Sequence, residues 1–196
     1  MKPRTPSRRS KPAKSLAGKI LIATPMIRDE RFERSLIYII AHSTQGAMGI
    51  IFNKVVESLT FPFLLSQLGI KAAPITEKQR IHFGGPVETR RGFVLHSNDY
   101  NHNATVNIDD NICLTATIDI VRDIATLKGP KDYLLALGYA GWGRGQLESE
   151  LSSTAWIEIP GDSNLIFSPD DNDKWQRAKD SLDFNLAQIS PFSGSA

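Results

Sequence analysis

The sequence predicts an α+β fold in a single domain, built on a mixed β-sheet. Three observations carry this. Strand-sized apolar runs rich in β-branched residues alternate irregularly with amphipathic stretches. Hairpin-like pairs sit beside strand–helix–strand units, and no second core or internal repeat interrupts them. A chain of 196 residues with 41% hydrophobic and 22% charged residues has an ordinary globular composition. It is long enough to bury about 70% of its unfolded surface.

Lys19-Ile-Leu-Ile-Ala23 reads as the first strand, stopped by Pro25. Asp29 caps a short helical turn through Phe32 and Ser35. Leu36-Ile-Tyr-Ile-Ile-Ala41 is continuously apolar, the pattern of a strand buried on both faces. The loop His42–Gly46 joins it to Met48–Phe52 as a hairpin. Thr60 caps a helix with Leu64, Leu65 and Leu68 on one side, ended by Gly69. Polar residues 71–80 form a loop or domain edge.

Ile81–Val87 and Gly92–His96 read as two short strands with a glycine–proline turn closing the first. Residues 97–111 are Asn- and Asp-rich loop, with room for only a small strand around Thr105-Val106. Ile112–Thr115 is a strand. Thr117 then caps a helix with Ile120, Val121, Ile124 and Leu127 at helical spacing, ended by Gly129-Pro130. Tyr133–Tyr139 is the central strand. Ala155–Ile159 and Leu165–Phe167 are expected as two more, joined by Pro160-Gly-Asp-Ser163. The last helix takes Ser168 as cap and Pro169 as its first residue, with Asp171 three positions after the cap. Trp175, Ala178, Leu182 and Leu186 form its inner stripe.

The most distinctive stretch is Gly138-Tyr-Ala-Gly-Trp-Gly-Arg-Gly-Gln-Leu-Glu-Ser-Glu-Leu151, read as a glycine loop leading into a short helix. Glycine belongs where a backbone takes positive φ or where another group approaches closely. Tyr139 and Trp142 add apolar area with a polar tip. The loop is therefore a place for a ligand or partner.

Familiar catalytic signatures are missing. The chain has no G-x-x-x-x-G-K-[ST] and no G-x-S-x-G, and Gly141–Gly145 lacks the third glycine of the dinucleotide fingerprint. His42, His82, His96 and His102 show no paired metal-ligand spacing, and no cofactor is expected. His96, ending an apolar strand beside Gly84-Gly85, is the histidine placed for proton transfer. Glu148 and Glu150 are two apart and so do not share a helix face, whereas Gln146 and Glu150 do. An acid in the first turn also suits the helix dipole. Cys113 reads as a small buried hydrophobe.

The net charge of +2 is unevenly distributed. Lys2, Arg4, Arg8, Arg9, Lys11 and Lys14 fall in residues 1–17 with no acid. Removing those six from the 23 basic residues leaves 17 against 21 acidic ones. Residues 1–17 are expected to be a disordered basic tail, and residues 18–196 the folded domain. The tail offers nucleic acid a salt-sensitive contact. No apolar run reaches the ~20 residues of a membrane span. One cysteine suits a reducing cytoplasm.

Several motifs stand in order: Gly18–Met26, Asp29 with Phe32–Ser35, Gly46–Lys54, Gly84-Gly-Pro-Val87, Arg91–His96, Gly138–Trp142 with Gly145–Glu150, and Asp173-Lys-Trp175. With them the chain resembles the AlgH/YqgE family of small bacterial proteins over about residues 18–185. That resemblance implies a compact α+β domain whose mixed, split sheet curls into a pseudo-barrel with helices around it. It also implies a link to transcriptional regulation, including alginate production, without a helix-turn-helix, and offers no catalytic residues to carry over.

The expectation is a regulatory binding module that acts through a protein or small-ligand partner. Its surface would gather Asp29, Phe32, Ser35, Asn53, Gly84, Gly85, His96, Tyr139, Trp142, Gln146 and Glu148. The alternatives are direct nucleic-acid binding through the tail, and an enzyme using His96 and Glu148.

Overall fold

The computed structural model describes residues 15–71, 73, 78–186 and 189. Among these residues a nine-stranded sheet curls through the molecule. Its strands are β1 (Lys19–Ala23), β2 (Leu36–Ser43), β3 (Gly46–Ile51), β4 (Ile81–Phe83), β5 (Val87–Ser97), β6 (Val106–Asn107), β7 (Ile112–Thr115), β8 (Tyr133–Gly143) and β9 (Trp156–Pro160). The order is β6-β7-β5-β8-β3-β2-β1-β9. Neighbours along that path are antiparallel, and β4 adds to β8 in parallel. The sheet is therefore both mixed and split. Leu135–Leu137 of β8 pair with β4, and Ala140–Gly143 farther along pair with β3. Five helices lie around it among the described residues: α1 (Phe61–Gln67), α2 (Ile118–Ala125), α3 (Gln146–Ser152), α4 (Ser163–Ile166) and α5 (Asp171–Asp180).

The continuous apolar run of β2 has the expected cause. Leu36, Tyr38 and Ile40 pack into a core shared with α4 and α5, while Ile37 and Ile39 pack on the opposite face with Trp142, Leu147 and Trp156. A third cluster seats α1 and α2 on β4, β5 and β8 through Phe61, Leu65, Val94, Ile120 and Leu135. At α1 the Thr60 hydroxyl accepts from the Phe63 amide, as a cap should. Thr117 stands at the N-cap of α2 in extended geometry, but its hydroxyl makes no cap bond.

Several expectations need correction. Gly138–Gly143 is strand rather than loop, because β3 and the segment after β4 pack directly against its backbone and pair with it. Leu165 and Ile166 lie in helix α4. Asp162 accepts from the Asn164 amide and starts a turn that buries both side chains, and a three-residue apolar run carries no period to reveal this. The cap of α5 is Asp170, whose carboxylate accepts from the Asp173 amide, since Arg177 occupies the Ser168 hydroxyl. Leu127 lies beyond the end of α2 with φ 62°, in the left-handed residue that closes a helix C-terminus, and is exposed.

The basic tail up to residue 14 lies outside the described residues. Its last residues do not stand free: Leu16 packs against the second core cluster, and its amide donates to His42 Nδ1.

Candidate functional site

The residues singled out from sequence fall into three separate places. The first is a girdle of aromatics around α3. Glu150 reaches back under the β8 backbone, where one carboxylate oxygen accepts from the indole N–H of Trp142 at 2.8 Å and from that of Trp156 at 2.7 Å. Its other oxygen accepts from Gln146 Nε2 at 2.9 Å. Gln146 Oε1 in turn accepts the Gly143 amide, joining the end of β8 to the start of α3. Trp142 and Phe32 each meet Trp156 edge-to-face with ring centroids 6.0 Å apart. Phe32, Trp142 and Gln146 are thus brought together, with Glu150 and Trp156 as the links.

Glu148 leaves this group and pairs with His42 Nε2 at 2.9 Å. The amide at the start of the helix, then His42, hold its carboxyl below the usual range. Nearby, Asn53 takes the Leu36 amide and donates to the Arg34 carbonyl, while Ser35 donates to the Phe32 carbonyl. Asp29 takes the Arg31 amide and guanidinium. These three residues close the turn before β2.

Replacing Glu150 by Ala strands two indole N–H groups, both in buried residues. At about 1–3 kcal/mol for each of the two orphaned donors, Glu150→Ala is expected to destabilise by about 2–6 kcal/mol. The carbonyl-bearing Glu150→Gln should recover part of that. Urea denaturation followed by tryptophan fluorescence reads it, and a midpoint unchanged in the Ala variant refutes the pinning role.

Gly84, Gly85 and Tyr139 lie where the segment after β4 crosses β8, and there the glycines serve close backbone approach. Tyr139 stacks edge-on to Phe93 at 5.9 Å. His96 lies in the third place, on β5 opposite Cys113 and Tyr133. It is fully buried. Nδ1 donates to the Ser97 carbonyl at 2.8 Å, and Nε2 accepts from the Thr115 hydroxyl at 2.9 Å, which is itself bonded to Thr105. Burial lowers its pKa, outweighing the Ser97 carbonyl and Asp99. His96 is therefore a neutral ring inside a closed hydrogen-bond chain.

A fourth place, which the sequence did not disclose, carries the densest charge. Asp171 at the start of α5 accepts from Lys174 Nζ at 2.8 Å, His82 Nε2 at 3.0 Å and Arg80 Nη1 at 2.9 Å. Lys174 is 1% exposed, and its ammonium also donates to the carbonyls of Phe52 and Ile166. The Nδ1 of His82 lies 3.2 Å from the Leu135 carbonyl. Burial by itself would raise the Asp171 pKa, but His82 and then Lys174 outweigh it and hold the carboxyl well below the usual range. Burial lowers that of Lys174, with Asp171 opposing.

This network forms one wall of a cavity of about 320 Å³ between β4, the start of β8, α4 and α5. Lys78, Gln79, Arg80, Lys131 and Tyr133 surround it, with Leu134 and Phe167 as its apolar side. A second hollow of about 270 Å³ adjoins it, sharing Asp132, Phe167 and Ser168. Sequence reasoning missed these residues because Arg80 and His82 stand about ninety positions from Asp171. One local signal existed. Asp171, Lys174 and Ala178 share a helix face at i, i+3 and i+7, so a charged pair sits on the buried side.

Residues 20–187 match the family described as AlgH-like. A UPF0301 protein of Rhodospirillum rubrum is 45% identical over 181 residues, covering 92% of this chain and 94% of its own. One of Afipia carboxidovorans is 51% identical over 189 residues, covering 92% and 90%. The solution structure of AlgH from Pseudomonas aeruginosa superposes with a TM-score of 0.76 at 33% identity over the whole of both chains. A Corynebacterium diphtheriae crystal structure, at 20% identity and a TM-score of 0.72 over 93% of this chain and 95% of that one, shares the fold.

Proposed function

The chain belongs to the AlgH-like family, and we propose that it works there as a regulatory binding module whose ligand is a small molecule seated in the cavity beside Asp171. One observation carries this reading: the groups best suited to chemistry are already bonded to one another, while other charged groups on the cavity lining, Lys78, Lys131 and Asp132, have no side-chain partner among the described residues. All three ammonium protons of Lys174 have acceptors, Asp171 accepts three charge-assisted bonds, and both nitrogens of His82 face acceptors. A wall tied down in this way is a rigid support for a ligand, with no group left to act as base or nucleophile. The cavity volume lies at the small-molecule end of the usual range for ligand pockets. Any effect on transcription would pass from the liganded protein to a partner.

The test is native mass spectrometry of the protein purified gently from its own host, comparing wild type with Gln79→Trp. Gln79 is half-buried on the cavity lining, so an indole there fills the opening and leaves the ion network alone. A small molecule retained by wild type and absent from the variant is the expected result. A bare chain in both, or equal retention in both, overturns the reading.

A further inference from the structure

Resting on that reading of the cavity, we infer that its ligand is a singly headed anion with a hydroxyl-rich body, of the sugar-phosphate class: the anionic group held by Lys78, Arg80 and Lys131, and the body extending into the adjoining hollow toward Asn111 and Asn164.

Among the described residues, the ammonium groups of Lys78 and Lys131 have no hydrogen-bond or ion-pair partner. Arg80 uses only Nη1, on Asp171 and the Pro169 carbonyl. Its remaining N–H groups stay available as a fork for a tetrahedral anion. Asp171 does not oppose a bound anion strongly, because the Lys174 ammonium beside it already balances its charge. This end of the cavity therefore presents donors and positive charge in excess.

The other end is different in kind. The side-chain amides of Asn111 and Asn164 and the hydroxyl of Ser163 face the second hollow without partners among the described residues. Amides both donate and accept, which suits hydroxyl groups. Asp132, shared by the two hollows, has no side-chain bond among the described residues. It would accept from hydroxyls and repel a second anionic group, which limits the ligand to one charged head. Phe167, also shared, offers a ring face to the ligand's carbon skeleton.

The test uses the full isotope-labelled chain, titrated by NMR at constant ionic strength with glucose 6-phosphate, inorganic phosphate, glucose and citrate. Glucose 6-phosphate should perturb the resonances of both Tyr133 and Asn164, and bind about tenfold tighter than phosphate. Lys131→Glu should weaken both phosphate-bearing probes at least tenfold, one charge-assisted contact being lost and a repulsive one created. Lys131 is exposed, so its variant should keep the wild-type melting temperature, which is measured alongside. Asn164→Ala should weaken glucose 6-phosphate severalfold and leave phosphate unchanged.

Absence of any perturbation at Tyr133, wild-type affinity in Lys131→Glu, or tighter binding of glucose or citrate than of glucose 6-phosphate each overturns the assignment. Failure of this inference is distinguishable from failure of the cavity reading. An uncharged compound that wild type retains and Gln79→Trp releases refutes the anion and keeps the cavity, whereas a host ligand indifferent to Gln79→Trp removes both.

Discussion

Lys174→Met is expected to destabilise the protein by about 3–5 kcal/mol, the usual result of removing one partner from a buried ion pair. The methionine keeps the apolar stem and much of the volume, so the loss isolates the ammonium. Three acceptors each lose one donor: Asp171, which keeps Arg80 and His82, and the carbonyls of Phe52 and Ile166. Those two carbonyls stand at the end of β3 and in α4, so the ammonium ties the strap after β3 to the helical layer. At about 2–4 °C per kcal/mol for a chain of this length, the melting temperature should fall by about 10 °C.

The surface pair Arg122–Asp119, at 2.8 Å but about half exposed on both sides, is the control. Arg122→Ala should change stability by about 0.5 kcal/mol or less. Asp171→Asn should also be severe, and the double variant should lose less than the two singles combined, because both act on one network. Calorimetry on the four variants decides it, and a Lys174→Met protein melting within two degrees of wild type refutes the role given to the network.

Gly85→Ala should be of comparable size for a different reason. Gly85 has φ +149°, and a Cβ there would lie well under 3.0 Å from the backbone of Tyr139 and Ala140. Gly84 across the same contact would meet the Gly138 carbonyl, and Gly138, at φ +74°, would meet that of Gly85. Three glycines thus let two stretches of backbone cross at β8. A side chain at Gly85 has rigid peptide to displace, and the shift would pull on the bond from the Ile51 amide to the Gly84 carbonyl. Overpacking and backbone strain each contribute about 1–3 kcal/mol, so a total of about 2–6 kcal/mol, or failure to fold, is the expected outcome.

Gly92→Ala is the matched control. It lies in the same strand system with ordinary φ and nothing within 4 Å of its would-be Cβ. Replacing that glycine should be neutral or slightly stabilising, since Ala restricts the unfolded chain. Equal urea midpoints for Gly85→Ala and wild type would contradict the crossing.

These two predictions divide the molecule by how much of it was readable in advance. β1, β2, β3, β7 and β9, and helices α1 and α2, stand close to where local pattern puts them, because each carries its own period, cap or breaker. Gly138–Gly143 did not, although its glycines were noticed. Glycine signals either a loop or a close approach, and only the presence of β3 and the strap after β4 selects the second. Leu165–Phe167 reads as a strand but its first two residues are helical, because three residues are too short to show a period. Among the candidate site residues, Phe32, Trp142 and Gln146 meet as neighbours, but the Glu150 that joins them had a local reading as a helix-face acid. His96, placed for proton transfer, lies in the core with both nitrogens bonded.

By itself the sequence determined the fold class, the order of most elements, which faces are apolar and the family. The first three follow from periodicity and residue type over stretches of ten or so residues, where side chains answer to their own backbone; the family follows from the order of motifs along the whole domain. Only the tertiary structure decided where charge is concentrated and where a ligand can sit. Arg80 and His82 are joined to Asp171 and Lys174 across some ninety residues, and whether a lysine is a solvated surface group or a buried staple depends on neighbours that no local pattern names.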